Sequence, residues 1–416
     1  MELNPGDTAW MLAATAFVLF MTPGLALFYG GMVRAKNVLG MLMQNIFAMG
    51  LLAVLWAAIA FTLAFGDAGD GGFIGNFAYA WMKDVGPALS TQSFFQDTLL
   101  LAIPFVLFCA YQMTFAIITP ALITGATADR LKFGSYAVFI GAWLILVYAP
   151  IAHMVFGGGW LAEQGALDFA GGAVVHMNAG AAALAVVLLI GRRKGYPDTP
   201  MPPHNLPMTV LGTGILWFGW AGFNAGSALA ANGVAGQAIF NTFAAASAAM
   251  LGWLLVERIK DGHATTLGGA SGAVAGLVAI TPCAGFVGGM APVYIGLIAG
   301  AVCYLALGIK KAFGFDDSLD VVAVHLVGGL AGALLLGLFA DSAINPAVVH
   351  EGLFLGGGVT LLGDQALASV VTLAYSFVVS LIIAKVIDLA LGLRVSEEDE
   401  DTGLDLTQHA EVAYAD

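Results

Sequence analysis

Charge is what this sequence most lacks. Only 10% of its 416 residues are Asp, Glu, Lys or Arg, while 60% are hydrophobic. A soluble chain of this length could not hide so much apolar surface, which leaves a polytopic helical membrane protein as the comfortable class. Basic residues are scarcer still: 14 Lys and Arg against 27 Asp and Glu give a formal charge of -13, which argues against nucleic acid as a partner. Cysteine is almost missing. Cys109, Cys283 and Cys303 stand singly in apolar stretches, without the spacing of a disulfide framework or a metal site. There is no GxSxG, no HExxH and no Gly-rich phosphate loop ending in Lys-Ser/Thr. Neither an enzyme nor a bound cofactor or metal is expected, and no pair of NPA motifs points to a water or polyol channel. Glu2 and Asp7 follow Met1 without a basic segment, so no cleaved signal peptide is expected.

Long apolar runs are what the chain has in plenty. Eleven are legible, over about 8-31, 38-65, 97-126, 134-157, 168-190, 208-231, 237-257, 266-286, 291-308, 318-340 and 365-393. Each approaches or exceeds the ~20 residues that cross ~30 Å of hydrocarbon. They are continuous rather than alternating, which disfavours a β-barrel. The 55 glycines suit helices that approach closely inside a bilayer. The sequence thus predicts an all-α polytopic fold of eleven transmembrane helices.

The basic residues orient it. Arg34, Lys36, Arg130, Lys132, Arg192, Arg193, Lys194, Arg258, Lys260, Lys310, Lys311 and Arg394 all follow odd-numbered runs, and Lys83 alone falls in the loops after even ones. The positive-inside rule then predicts an outer N-terminus and a cytoplasmic C-terminus. The opposite side carries Glu2, Asp7, Asp67, Asp70, Asp84, Asp97, Glu163, Asp341, Glu351 and Asp364. Such a face is either simply solvated or a weak cation-attracting vestibule.

Two histidines lie within these runs: His176 in DFAGGAVVHMNAG and His325 in DVVAVHLVGG. An ionisable ring in hydrocarbon is costly and marks a substrate or proton pathway more often than idle packing. Each is followed four residues later by glycine, at Gly180 and Gly329. Five-span units in series have opposite orientations, so runs 1-5 and 6-10 read as inverted repeats with a site between them near the midplane. Two neutral imidazoles meeting there could share one proton through a ring-to-ring hydrogen bond. The bland alternative is two separate histidines that tie helices together. Asp168 precedes the run bearing His176 and could cap that helix or contact a cation. Phe115 and Phe223 could close a narrow gate or offer ring faces to a cation. Ser227, one turn beyond Phe223, could accept a hydrogen bond from a donor-rich substrate.

The wider pattern resembles the ammonium transporter family (the Amt/MEP/Rh group) along essentially the whole chain. TPGLALFYGGMVRAKN (Thr22 to Asn37), YQMTFAIITPALITGATADRLKF (Tyr111 to Phe133), GALDFAGGAVVHMNAG (Gly165 to Gly180), WFGWAGFNAGSALAAN (Trp217 to Asn232), FDDSLDVVAVHLVGG (Phe315 to Gly329) and GLRVSEEDEDTGLDL (Gly392 to Leu406) carry it. The resemblance implies eleven spans, two inverted five-helix halves plus a last helix, and a homotrimer with one pore per subunit in the cytoplasmic (inner) membrane. The transmembrane unit would be residues 1-393, with repeats at about 8-190 and 208-340 and a last span at about 365-393. It implies that His176 and His325 line the pore and that Phe115 and Phe223 form a stacked gate. Ser227, Asp168, Tyr111 and Phe156 would lie at or near an outer ammonium site. At Phe156 the family commonly has a tryptophan, whose ring face binds cations better.

Residues 394-416 carry eight acidic residues and one basic one. Read alone they are a solvated tail. The resemblance makes them a cytoplasmic regulatory tail, opening with Gly392, Leu393, Arg394 and Val395, that works with a PII-type nitrogen-signalling partner. The activity implied is ammonium transport: recruitment outside, deprotonation, and conduction of ammonia with or without the proton. An ammonium sensor of the same fold with weak transport is the alternative.

Overall fold

The computed structural model describes residues 2–69 and 71–414; Asp70 of the acidic face and the last two residues of the tail lie outside them. Ten helices are long and apolar enough to cross a membrane: α1 Pro5–Met32, α2 Ala35–Phe65, α3 Phe105–Thr127, α4 Phe133–Glu163, α5 Gly172–Ile190, α6 Leu206–Ala225, α7 Gly233–Asp261, α9 Ala291–Phe313, α10 Val322–Phe339 and α11 Thr360–Leu391. The shorter apolar α8, Thr266–Ile280, completes eleven. Among the described residues the only β pairing is a single bridge between Leu131 and Arg394.

The largest difference from the sequence reading is at the third run. It was expected to begin near 97, but α3 starts at Phe105, behind Pro104. Residues Phe94–Thr98 form a separate π-helical turn, and Leu100 takes a left-handed φ of 50°. Proline cannot donate to a continuing helix and disfavours the helical region before it, so the apolar run divides there.

The inverted pairing is visible at the centre. A Cβ on Gly180 would meet Leu326 N at 2.4 Å, and one on Gly329 would meet Met177 N at 3.1 Å. Each glycine lies four residues beyond one histidine and touches the residue just after the other, which is how two antiparallel helices related by a twofold must meet. The helix starts repeat the symmetry. Asp168 stands eight residues before His176, and Asp317 eight before His325. Asp317 Oδ2 accepts from Val322 N at 2.7 Å, as Asp168 accepts from the first amides of α5. Three residues after each aspartate the backbone turns left-handed, at Gly171 (φ 120°) and Asp320 (φ 63°).

One end of the bundle is tied by buried charge. Arg193, from the loop after α5, donates through N and Nε to Asp316 Oδ2, both at 2.8 Å, and through Nη2 to Oδ1 at 2.9 Å. Arg130, after α3, donates to the Asp316 carbonyl at 2.5 Å, and Arg34, after α1, pairs with Asp129 at 2.9 Å. The sequence assigned these arginines to one side of the membrane, and they converge at one end of the molecule.

The last segment docks on the same end. Two short helices, α12 Glu397–Thr402 and α13 Leu404–His409, follow α11. Ser396 caps α12 by accepting from Asp399 N at 3.0 Å, a capping box. Asn37 Oδ1 accepts from Leu404 N, and Asp405 Oδ1 accepts from Gly40 N, both at 2.8 Å. Arg394 pairs with Glu400 at 2.6 Å. Burial strips most of the water from these groups, so their partners must come from the protein.

Candidate functional site

α5, α6 and α10 each carry a π-helical turn where the chemistry-bearing residues lie: Gly172–Met177 holds His176, Ala221–Ala225 holds Phe223, and Val322–Val327 holds His325. A π turn widens the helix by one residue and re-aims the side chains within it. Here it brings the two imidazoles together. His325 Nδ1 and His176 Nδ1 are 3.3 Å apart, with ring planes inclined by 25°. One nitrogen of that contact carries a proton and the other accepts it. The histidine whose Nδ1 accepts carries its own hydrogen on Nε2. His176 is 1% exposed, and its Nε2 has no partner.

Both rings line a slot of about 10 Å³, walled otherwise by apolar side chains such as Leu25, Ile118, Leu122 and Val175. That is the space of roughly one water molecule. A second cavity of about 140 Å³ opens on the other side of His325, with Ser271, Glu257, Asp261 and Asp320 in its walls. His325 therefore lines both a narrow apolar slot and a wider cavity with polar groups in its walls.

Phe115 and Phe223 are buried with ring centroids 4.4 Å apart, in direct contact. Tyr111 packs edge-on against Phe115 at 5.0 Å. Its hydroxyl reaches the carbonyls of Gly222 and Phe223 at 2.9 Å and lies 3.2 Å from Ser227 Oγ. Ser227, half-buried, donates to the Phe223 carbonyl at 2.9 Å, so its oxygen can still accept a hydrogen bond.

Two of the residues singled out in the sequence are placed differently from their neighbours. Asp168 spends both oxygens on the start of α5: Oδ1 accepts from Gly171 and Gly172, and Oδ2 from Ala173 and Val174, at 2.7–3.2 Å. Four amides saturate a carboxylate, so the geometry here is a helix cap. Phe156 lines a different cavity, of about 660 Å³, whose walls include none of Tyr111, Phe115, Phe223 and Ser227.

Trp220 was not singled out from the sequence. Its ring stacks on His176 at 5.5 Å and 22°, and its Nε1 donates to Thr281 Oγ1 at 2.9 Å. With Phe223, 6.0 Å from His176 on a parallel plane, it continues the aromatic file from the outer rings to the imidazoles. The only signal was its place three residues before Phe223, one turn along the same helix.

A bundle of eleven apolar helices around a narrow, ring-lined slot defines a multi-pass membrane transport protein. Residues 9–414 match the family described as Ammonium Transporter Family. The chain is 52% identical to the ammonium transporter of Mycobacterium tuberculosis over 430 residues, covering 98% of this chain and 90% of that one. It is 47% identical to the ammonium transporter of Bacillus subtilis, with full coverage of both. Among solved structures it resembles Candida albicans Mep2, with a TM-score of 0.88 at 37% identity over 99% of this chain and 91% of the other. It also resembles a protein described as Sensor Amt Protein, with a TM-score of 0.87 at 29% identity over 97% and 98%. This chain belongs to the ammonium transporter family.

Proposed function

We propose that the protein takes up ammonium and conducts it as ammonia through the slot between His176 and His325. Ammonium meets Ser227 and Phe223 at the outer mouth, beside Tyr111, and gives up a proton to the outer water. Ammonia then passes Phe115 and Phe223, runs along the two imidazoles and leaves through the wider cavity beside His325. The observation that carries this reading is the contact of the two imidazoles inside an apolar slot of about 10 Å³. Ammonium and potassium are of comparable size, so a cage of oxygens would separate them poorly. A dry slot separates them by the cost of bare charge at membrane depth, which is several kcal/mol or more. Ammonium escapes that cost by losing a proton, and potassium cannot.

The expected result in proteoliposomes is uptake or current evoked by an ammonium pulse and none by an equal potassium pulse. Equal responses to the two would end this reading. A flux of ammonia without current would mean that the proton stays behind; a current would mean that it travels too.

The chain works in this reading as a homotrimer in the cytoplasmic membrane, N-terminus outside, with residues 1-393 as transport unit. Residues 394-416, from Arg394 and Val395 onward and preceded by Gly392 and Leu393, form a cytoplasmic regulatory tail that a PII-type protein engages. A second reading, an ammonium sensor with weak transport, is favoured by the likeness to the Sensor Amt Protein. Deletion of 394-416 separates them. A transporter retains ammonium uptake within roughly fivefold, a change of ~1 kcal/mol or less in barrier, because the tail docks away from the residues that line the slot. A sensor with weak transport shows little uptake with or without the tail.

A further inference from the structure

Among the described residues, the slot and the wider cavity beside it share three wall residues: Phe28 from α1, Val274 from α8 and His325 from α10. These three form the partition between about 10 Å³ on one side and about 140 Å³ on the other. All three are buried. A solute that leaves the slot for the cavity passes between a phenyl ring, an isopropyl group and an imidazole.

Of the three, Val274 is the fixed edge. Glycines seat α8 closely on α7: a Cβ on Gly272 would come to 2.6 Å of Trp253 Cβ, and one on Gly276 to 2.5 Å of Ala249 Cβ. Residues 272 and 276 share one face of the helix, and Val274, about 200° round from each, points to the other. One turn further on, Val278 holds α8 against α10, where a Cβ on Gly328 would meet its Cγ1 at 3.1 Å. A β-branched side chain in a helix keeps essentially one χ1 rotamer, so the isopropyl group cannot swing aside. The phenyl rings of Phe28, Phe115 and Phe223 can tilt, because their χ2 torsion is broad. His325 is steadied by its contact with His176 at 3.3 Å.

We propose that Val274 sets the largest solute the path accepts, by fixing the aperture through which the slot empties into the cavity. The inference rests on the conduction path proposed above and adds the residue that sorts solutes by size along it. Ammonia is comparable to the single water that the slot can hold, and it passes. Methylamine carries a methyl group in place of one hydrogen and passes more slowly through the same opening. Apolar walls separate substrates that differ by one methylene by roughly tenfold to two-hundredfold. The cost of charge at membrane depth excludes potassium, and Val274 then divides the neutral amines among themselves.

The test is a ratio: the initial rate of methylammonium uptake over that of ammonium, both isotope-labelled, in proteoliposomes of the full chain at one pH and one concentration. Val274→Ala strips the methyl groups from the edge of the aperture and should raise the ratio about tenfold. Val274→Ile adds a methyl group there and should lower the ratio about tenfold. Val175→Ala makes the same change as the first variant in a wall of the slot that does not reach the cavity, and should leave the ratio unchanged. The alanine variant at 274 only removes atoms, so it tests the aperture even if the larger isoleucine unfolds the protein. A ratio unmoved by Val274→Ala, a ratio raised as far by Val175→Ala, or a ratio unmoved by Val274→Ile in folded protein would overturn the proposal. Wild-type protein that takes up no ammonium would sink the conduction path as well. Wild-type protein that does take it up, with a ratio that position 274 does not move, sinks this assignment alone.

Discussion

His176→Ala lowers the initial rate of methylammonium uptake about tenfold to a hundredfold in protein that remains folded, although the gap it leaves lowers the melting temperature. The magnitude follows from the group removed. A hydrogen bond to a charged or charge-developing partner is worth roughly 1.5–3 kcal/mol, and each 1.36 kcal/mol of barrier is a factor of about ten. His176 Nε2 is buried without a partner at the upper edge of the slot, so its capacity is free for a passing solute. Alanine would also leave His325 Nδ1 facing a gap in place of the ring now 3.3 Å away. Tracer uptake into proteoliposomes measures the effect. A variant that folds normally and transports at the wild-type rate would leave the two imidazoles as mere packing between α5 and α10, and the proposed path would be wrong.

The second large effect is on stability. Asp316→Ala destabilises the protein by about 3–5 kcal/mol, the usual result of removing one partner from a buried ion pair. Asp316 is fully buried, and it takes three hydrogen bonds from Arg193. Without it, the guanidinium of Arg193 retains only Asp129, 3.6 Å away and already shared with Arg34. The midpoint of unfolding in mild detergent reports the loss, and an unchanged midpoint would refute this account.

Acid gives the same bond a pH signature. Burial alone would raise the Asp316 carboxyl, but the hydrogen bonds and charges of Arg193 and Arg130 outweigh it and hold the group below the usual carboxylate range. A depressed carboxylate contributes stability that is complete above the unfolded value, about 3.9, and lost as pH falls toward the lower folded one. The gap between wild type and Asp316→Ala should therefore be constant near neutrality and narrow below about pH 4.

Much of this was legible in the residues. His176 and His325 announce themselves because a titratable ring in a long apolar run has no cheap explanation, and the structure does bring them together. The basic residues at alternate loops likewise foretell the arginine cluster at one end. Other features depend on three-dimensional facts that spacing does not carry. The start of α3 was placed early because hydropathy averages over Pro104 and the bent segment before it. Asp168 could be read as a cap or a cation contact until its four amide donors were located. Trp220 is one of eight tryptophans in an aromatic-rich chain, and only the packing of α6 against α5 sets its ring on His176.

The two glycine notches at the centre also bear on how the protein can move. Gly180 seats against Leu326 and Gly329 against Met177, each close upon the backbone of the opposite helix. Tilting one half over the other would unseat both contacts at once and open voids in the middle of the bundle. Such a molecule is ill suited to the swinging halves of a rocking carrier. Any motion that passes a solute would then fall to side chains, inside a frame that stays put.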